Sequence, residues 1–197
     1  MPDIVAFGRT CVRERRPASG TTWAPYCRWE PERRGMNEIS LKLARLGDAP
    51  AIANMSHALV EAGLPWNWTP RRVAALIRQR ECLAVVAWAQ RRLAGFVLTQ
   101  FSDEVAHIAL LCVAEEYRRQ GIARRLVQWV EESAVAAGVF QVRLETRRIN
   151  RGAQRFYASM GYTSSGVLCG YYSGIEDAIR LSRDLRIAPR DPKRVNR

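Results

Sequence analysis

The stretch Val113-Ala-Glu-Glu-Tyr-Arg118-Arg119-Gln120-Gly121-Ile122-Ala123-Arg124 decides how this chain folds. An apolar run, Glu104–Val113, leads into it. A helical pattern leaves it, from Gly121 to about Ala137, with Ile122, Leu126, Val127 and Val130 on one face. Gly138 reads as the glycine that ends that helix, and Val139–Thr146 as the strand that follows. Strand, helix and strand in this order predict a right-handed parallel crossover. Upstream, the alternation of Ile39, Leu41 and Leu43 predicts a strand, and Asp48 stands as N-cap of a helix over Ala49–Glu61. Thr69 and Pro70 open a second helix to about Arg80, and Leu83–Trp88 with Leu93–Phe101 read as a hairpin. Downstream, Asn150–Met160 reads as a helix closed by Gly161, and Tyr162–Tyr172 with Ala178–Leu185 as a last pair of strands. The expected class is α/β with a mixed sheet: about seven strands and four helices around a central parallel crossover.

Composition sets the outer limits. The chain has 197 residues, 48% of them hydrophobic and 25% charged, which excludes a collagen, a wholly disordered chain and a disulfide miniprotein. No apolar run reaches the roughly 18–20 residues of a membrane helix, so no membrane partner is expected. Arg9, Arg13, Arg15 and Arg16 interrupt the N-terminus where the apolar part of a secretory leader would lie. Five scattered cysteines form no CxxC pair, and with only two histidines no metal site is expected. Reduced thiols in the cytoplasm are the simplest expectation.

The net charge is +12, carried by 29 Arg and 2 Lys against 19 acids. Residues 1–35 hold net +3 and residues 183–197 net +4. With Pro17, Pro25 and Pro31 and no sustained period, residues 1–35 read as a disordered or loosely packed basic extension. Residues 36–187 read as the globular domain and 188–197 as a basic tail. Nucleic-acid contact is expected only through these ends.

Two segments carry chemistry. A helix starting at Gly121 presents free N–H groups and a positive dipole end, which suits phosphate oxygens, and Arg118, Arg119 and Arg124 add charge there. Neither a P-loop nor a GxGxxG fingerprint is present. An ordinary strand-to-helix turn with surface arginines reads equally well. In Arg143-Leu-Glu145-Thr-Arg-Arg-Ile-Asn150-Arg-Gly-Ala-Gln-Arg-Phe-Tyr157, Glu145 ends a strand, Asn150 is placed to cap a helix, and Tyr157 lies two turns on along the same face. A carboxylate and a phenol so placed can act as base and acid. The alternative is that Glu145 pairs with arginines and Tyr157 is core.

Together these segments resemble the GNAT superfamily of acetyl-CoA-dependent N-acetyltransferases. Arg119-Gln-Gly-Ile-Ala123, entered through Arg118, is similar to that family's pyrophosphate loop. Leu144–Tyr162 and Gly170-Tyr-Tyr-Ser-Gly-Ile-Glu-Asp-Ala-Ile-Arg-Leu181 resemble its RimI-type branch of ribosomal-protein alanine N-acetyltransferases. The resemblance covers residues 38–185. It implies acetyl-CoA as co-substrate, no metal, and an acceptor amine such as a ribosomal-protein N-terminus, in a monomer or homodimer. Leu111, Cys112 and Val113 would meet the pantetheine arm through backbone groups. Arg118, Arg119, Gln120, Gly121, Ile122, Ala123 and Arg124 would hold the pyrophosphate, and Asn150 the region near the thioester. Glu145 would be the general base through water and Tyr157 the acid to the leaving thiolate.

Three departures stand out. Ala123 replaces the commoner glycine, the extension of residues 1–35 has no counterpart, and Gly170–Ile175, which the resemblance places at the acceptor, is short.

An α-amine, with pKa near 8, is far easier to deprotonate than a lysine near 10.4, so a carboxylate through water suffices for it. Cys112 reads as a buried, inert thiol. His107 reads as a satisfied or exposed histidine and His57 as a minor substrate contact. Trp66, Tyr171 and Tyr172 are candidates to shape the acceptor site, with strand alternation allowing one of the two tyrosines to face it. Glu176 and Asp177 either draw a basic peptide or cap a turn. The competing functions are N-acetylation of small amines, amino acids or antibiotics on the same fold, and a basic RNA- or ribosome-associated module without catalysis.

Overall fold

A computed structural model describes residues 39–187. The expectations for residues 1–35 and 188–197 lie outside the described residues. Seven strands form one sheet: β1 (Ile39–Leu43), β2 (Cys82–Ala89), β3 (Arg92–Phe101), β4 (Val105–Val113), β5 (Gln141–Arg147), β6 (Thr163–Tyr172) and β7 (Glu176–Asp184). Their order is β1-β2-β3-β4-β5-β7-β6, antiparallel throughout except for the parallel pair β4–β5. Four helices accompany it: α1 (Ala49–Leu59), α2 (Pro70–Ile77), α3 (Ile122–Ala136) and α4 (Arg151–Ala158).

The elements form for the reasons written in the chain. Thr69 caps α2, its hydroxyl accepting from the Arg72 N–H, and Pro70 sits at the first helical position. Asn150 caps α4 through Oδ1, which accepts from the Ala153 N–H at 3.0 Å. Asp48 differs from expectation. It closes a single 3-10 turn (Leu46–Asp48), and its carboxylate accepts from the Arg45 N–H at 2.7 Å instead of capping α1. The short turn takes the acid's hydrogen-bonding capacity before α1 begins.

The two faces of the sheet bury separate cores. On one, α3 and α4 cover Val85, Val97, Ile108, Val142 and Leu144 with Leu126, Val130 and Tyr157. On the other, α1 and α2 cover Val86, Phe96, Leu98, Leu110 and Cys112 with Ile52 and Val73. Burying one fully enclosed aliphatic side chain contributes about 1.5–3 kcal/mol. These two cores therefore hold the sheet rigid between its helical layers.

Two irregularities in β4 position everything that follows. The β3–β4 register jumps from Leu98↔Leu110 to Thr99↔Ile108, which leaves Ala109 as the extra residue of a bulge. Before the bulge the even residues Ala106 and Ile108 face α3; after it Leu110 and Cys112 face α1 and α2. And β4 pairs with β5 only from Val105↔Gln141 to Ile108↔Leu144. Beyond Ile108 the two strands part, so the residues from the bulge to Val113 turn an edge into an open wedge.

Candidate active site

The wedge is roofed by the start of α3. Gly121 is the N-cap of that helix in a left-handed conformation, φ +79°, which glycine adopts without strain. No side chain caps the helix and its first turn carries no acid, unlike α2 and α4 with their Thr69 and Asn150 caps. The first intrahelical bond of the cap runs from the Arg125 N–H to the Gly121 carbonyl, so the N–H groups of Ile122, Ala123 and Arg124 have no partner within the helix. Arg119, also at positive φ, and Arg124 are exposed beside them. The arrangement suits a diphosphate: free N–H groups, a positive helix end and flanking guanidinium groups.

The other residues of that loop have specific places. The Arg118 Nε donates to the Val113 carbonyl at 3.2 Å and its Nη1 to Glu115. The guanidinium is thus tied to the end of β4, and of the β4 residues in the wedge Val113 has its carbonyl taken. Gln120 folds back on the Glu116 carbonyl. Ile122 is fully buried and anchors the helix start in the core. Leu111 lies in the wedge on the α3 side, half-buried; Cys112 points into the opposite core, its thiol pushed by burial up to about 11. It is an unreactive thiol at neutral pH.

At the crotch of the wedge, on the α1/α2 side, four polar side chains alternate outward from β4, β5 and β7. Ala106 and Ile108, Val142 and Leu144, and Ile179 and Leu181 all turn to the α3 side. His107, Arg143, Glu145 and Arg180 therefore share the other face. Glu145 is the centre of the group. Its Oε2 meets His107 Nε2 at 2.6 Å, its Oε1 accepts from Arg180 Nε at 2.8 Å, and the Tyr171 hydroxyl reaches Oε2 at 3.5 Å. The Glu145 side chain is only 5% exposed. Burial alone would raise its carboxyl, but the hydrogen bonds and charges of His107 and Arg180 outweigh that and hold it down to about 2.

Tyr171 and Tyr172 both converge on this residue. The Tyr172 hydroxyl donates to the Glu145 carbonyl at 3.3 Å, and the two rings meet edge to face. Simple strand alternation, which would send one of them away, fails here. The β6–β7 register breaks between Leu168 and Tyr172, and Gly170 adopts φ +61° inside the break. Glu176 and Asp177 are not free to draw a peptide. Glu176 pairs with Arg147; Asp177 pairs with Arg148 and accepts from the Gly170 N–H, so it fixes the turn that brings the tyrosines round.

Trp66 stands on a loop that the buried carboxylate of Glu61 organises. Glu61 accepts from the backbone N–H groups of Asn67 and Trp68. The indole stacks on His57 at 4.7 Å and remains 42% exposed. Arg147 Nη1 donates to the Ala62 carbonyl, so one guanidinium ties this loop to β5 and, through Glu176, to β7. Tyr157 of α4 is buried against Phe156 and Tyr162, and burial, reinforced by Tyr172 nearby, raises its hydroxyl well above the ordinary phenol value. It stays protonated at neutral pH. Among the described residues no three of His, Cys, Asp and Glu converge on a point, and no helix is long and apolar enough to cross a membrane.

Reasoning from sequence missed His107, Arg180, Arg147 and Glu61 as parts of this site. The signal lies in the pairing, Arg180 opposite Glu145 and His107 opposite Arg143 two residues before it on the same face, and it becomes readable only when the strand order β4-β5-β7 is known.

A mixed sheet whose one parallel pair among the described residues opens beside an uncapped helix start suits an extended, diphosphate-bearing ligand laid along a strand edge. Comparison with known proteins makes the class specific. Residues 53–162 match the model of the acetyltransferase (GNAT) family. The [ribosomal protein bS18]-alanine N-acetyltransferase of Escherichia coli K12 is 32% identical over 151 residues, covering 75% of this chain and 97% of that protein. N-alpha-acetyltransferase 20 of Dictyostelium discoideum is 39% identical over 87 residues, 43% of this chain and about half (48%) of that one. Among solved structures, the PaiA N-acetyltransferase of Thermoplasma acidophilum in complex with coenzyme A shares the fold, with TM-score 0.64 and 18% identity over 75% of this chain and 99% of that one. The chain belongs to the acetyltransferase (GNAT) family and is an acetyl-CoA-dependent N-acetyltransferase.

Proposed function

We propose that the protein transfers the acetyl group of acetyl-CoA to the α-amine at a protein N-terminus. The observation that carries the reading is the wedge between β4 and β5, with an uncapped helix start at its roof and the Glu145 cluster at its crotch. The names of the two relatives, each an enzyme of N-terminal or α-amino acetylation, support the acceptor class.

The N–H groups of Ile122, Ala123 and Arg124, with Arg119 and Arg124, fit the diphosphate. Backbone groups of Leu111 in the wedge fit the amide-bearing arm. Asn150 spends Oδ1 on its helix and keeps its amide N–H₂ to donate. Acetyl-CoA supplies an activated thioester. The amine attacks as the neutral base, its proton leaves through water toward the Glu145 cluster, and Tyr157, kept protonated by burial, donates to the departing sulfur. The exposure of Trp66 and Tyr171 supports a role for both in meeting the acceptor chain.

The test is transfer followed by mass spectrometry. Acetyl-CoA is offered with peptides beginning in Ala, Ser, Met or Gly, with matched peptides whose only amine is a lysine, and with free small amines. Acetylation confined to peptide α-amines is expected. Turnover on small amines alone refutes the acceptor class. Absence of both transfer and an acetyl-CoA-dependent rise in Tm refutes the reading of the wedge.

A further inference from the structure

Glu145 sits where a proton acceptor is needed, yet it is badly suited to be one. Its side chain is 5% exposed, and both carboxylate oxygens already accept strong hydrogen bonds. A water carrying the amine's proton has little of this carboxylate left to meet. The imidazole of His107 is bonded to it at 2.6 Å and is itself 30% exposed. With Nε2 donating to Glu145, Nδ1 is left with its lone pair, and it makes no hydrogen bond among the described residues. His107 lies one residue before the last β4–β5 pair, Ile108↔Leu144, on the acceptor face of the sheet.

We propose that His107 is the group that receives the proton from the acceptor amine, through one water at Nδ1, and that Glu145 is a positioning residue that orients the ring and balances the imidazolium. This rests on the amine-acetylation reading above. As the C–N bond forms and the C–S bond breaks, the nitrogen's proton passes to His107, and the sulfur takes the proton of Tyr157. Solvent then restores both groups, so the sum is amine plus thioester to amide plus thiol.

The surrounding charges fit the assignment. Arg180 is paired with Glu145 independently of the ring, so the carboxylate keeps a cationic partner throughout the cycle. When the ring is protonated, the carboxylate is already in contact with it. Arg143 of β5, His107's register partner, is the cation that opposes charging of the ring; Gln100 of β3, its partner on the other side, is uncharged. The phenols of Tyr171 and Tyr172 reach Glu145 and remain neutral because burial raises them. Imidazole is the side chain whose ordinary titration lies near neutral pH, which suits taking and releasing a proton in each turnover.

The experiment compares the wild type with His107→Gln, whose amide can still donate to Glu145, across pH 5.5–9, using a peptide beginning in Ala and acetyl-CoA. For the wild type, log kcat/KM should fall on the acid side with a limiting slope of two, because both the amine and the ring must be unprotonated. A carboxylate held near pH 2 adds no such limb. His107→Gln should lose about 100-fold in kcat, keep the KM for acetyl-CoA within twofold, and show a slope of one. His107→Ala should regain activity severalfold with millimolar imidazole. The His107→Gln/Glu145→Gln double variant should be scarcely slower than either single one, because the two act as a unit. Retained kcat with an unchanged slope in His107→Gln overturns the proposal. So does equal loss of turnover and of acetyl-CoA-induced stabilisation, which marks a purely structural role. A wild type inactive on every amine refutes the function itself, and this assignment with it.

Discussion

Replacing Glu145 by Gln should destabilise the fold by an amount that depends on pH. The substitution keeps volume and one carbonyl oxygen, but it turns an amide N–H₂ toward either Arg180 or His107. The carboxylate holds two strong hydrogen bonds, at 2.6 and 2.8 Å, and charge-assisted bonds contribute about 1.5–3 kcal/mol each. Water partly reaches both partners, His107 at 30% and Arg180 at 35% exposure, so a total of about 2 kcal/mol at pH 7 is reasonable. Linkage reaches a similar figure. The carboxyl is held at about 2 against an ordinary 4.5, and each unit corresponds to about 1.4 kcal/mol before the same discount. The folded pKa is depressed, so the stabilisation is complete above 4.5 and is lost as pH falls from there through about 2. Urea unfolding of both proteins, followed by tryptophan fluorescence at pH 7, 6, 5, 4 and 3, measures it. The gap between them should be about 2 kcal/mol from pH 7 to 5 and shrink by roughly half at pH 3. A gap below about 0.5 kcal/mol at pH 7, or one that stays constant down to pH 3, would refute the ion-paired picture of Glu145.

Three further outcomes follow from the same geometry. Tyr157→Phe should lower kcat at least tenfold while moving Tm by no more than a few degrees, since the ring packing stays; a variant with wild-type kcat would remove the phenol from the reaction. Gly121→Ala forces a Cβ onto φ +79° with open space around it; it should lose about 1 kcal/mol and raise the KM for acetyl-CoA, and an unchanged KM would separate the helix start from diphosphate binding. Gly95→Ala places a Cβ 2.8 Å from the Cys112 carbonyl and 3.2 Å from the Val113 side chain, contacts that β4 relieves only by moving; a loss of about 1–3 kcal/mol in urea unfolding is expected, and a neutral substitution would mean that β3 and β4 adjust freely.

Much of the architecture was legible in the chain. Thr69-Pro70 marks the start of α2, Asn150 that of α4, and Gly138 and Gly161 the ends of helical runs; all four act locally, through a side-chain oxygen, a fixed φ or a positive φ. The period of Ile122, Leu126, Val127 and Val130 places one face of α3 in the core for the same local reason. Where local signals compete, the chain alone does not decide between them. Asp48 had two sets of N–H groups within reach and caps the earlier turn, and Ala109 and Gly170 sit at bulges that no alternation announces.

The site divides along the same line. The sequence by itself determined which residues could do chemistry: a glycine-started helix among arginines, a carboxylate at a strand end, a phenol two turns along a helix. Only the tertiary structure decided how those groups are engaged. Glu145 meets His107 38 positions before it and Arg180 35 positions after it because β5 lies between β4 and β7 in the sheet. The bulge at Ala109 puts His107 on the same face of β4 as Leu110 and Cys112, which one uninterrupted alternation could not do. Strand order and register arise from the packing of two whole cores, with free energies spread over dozens of side chains, so no short stretch of sequence contains them.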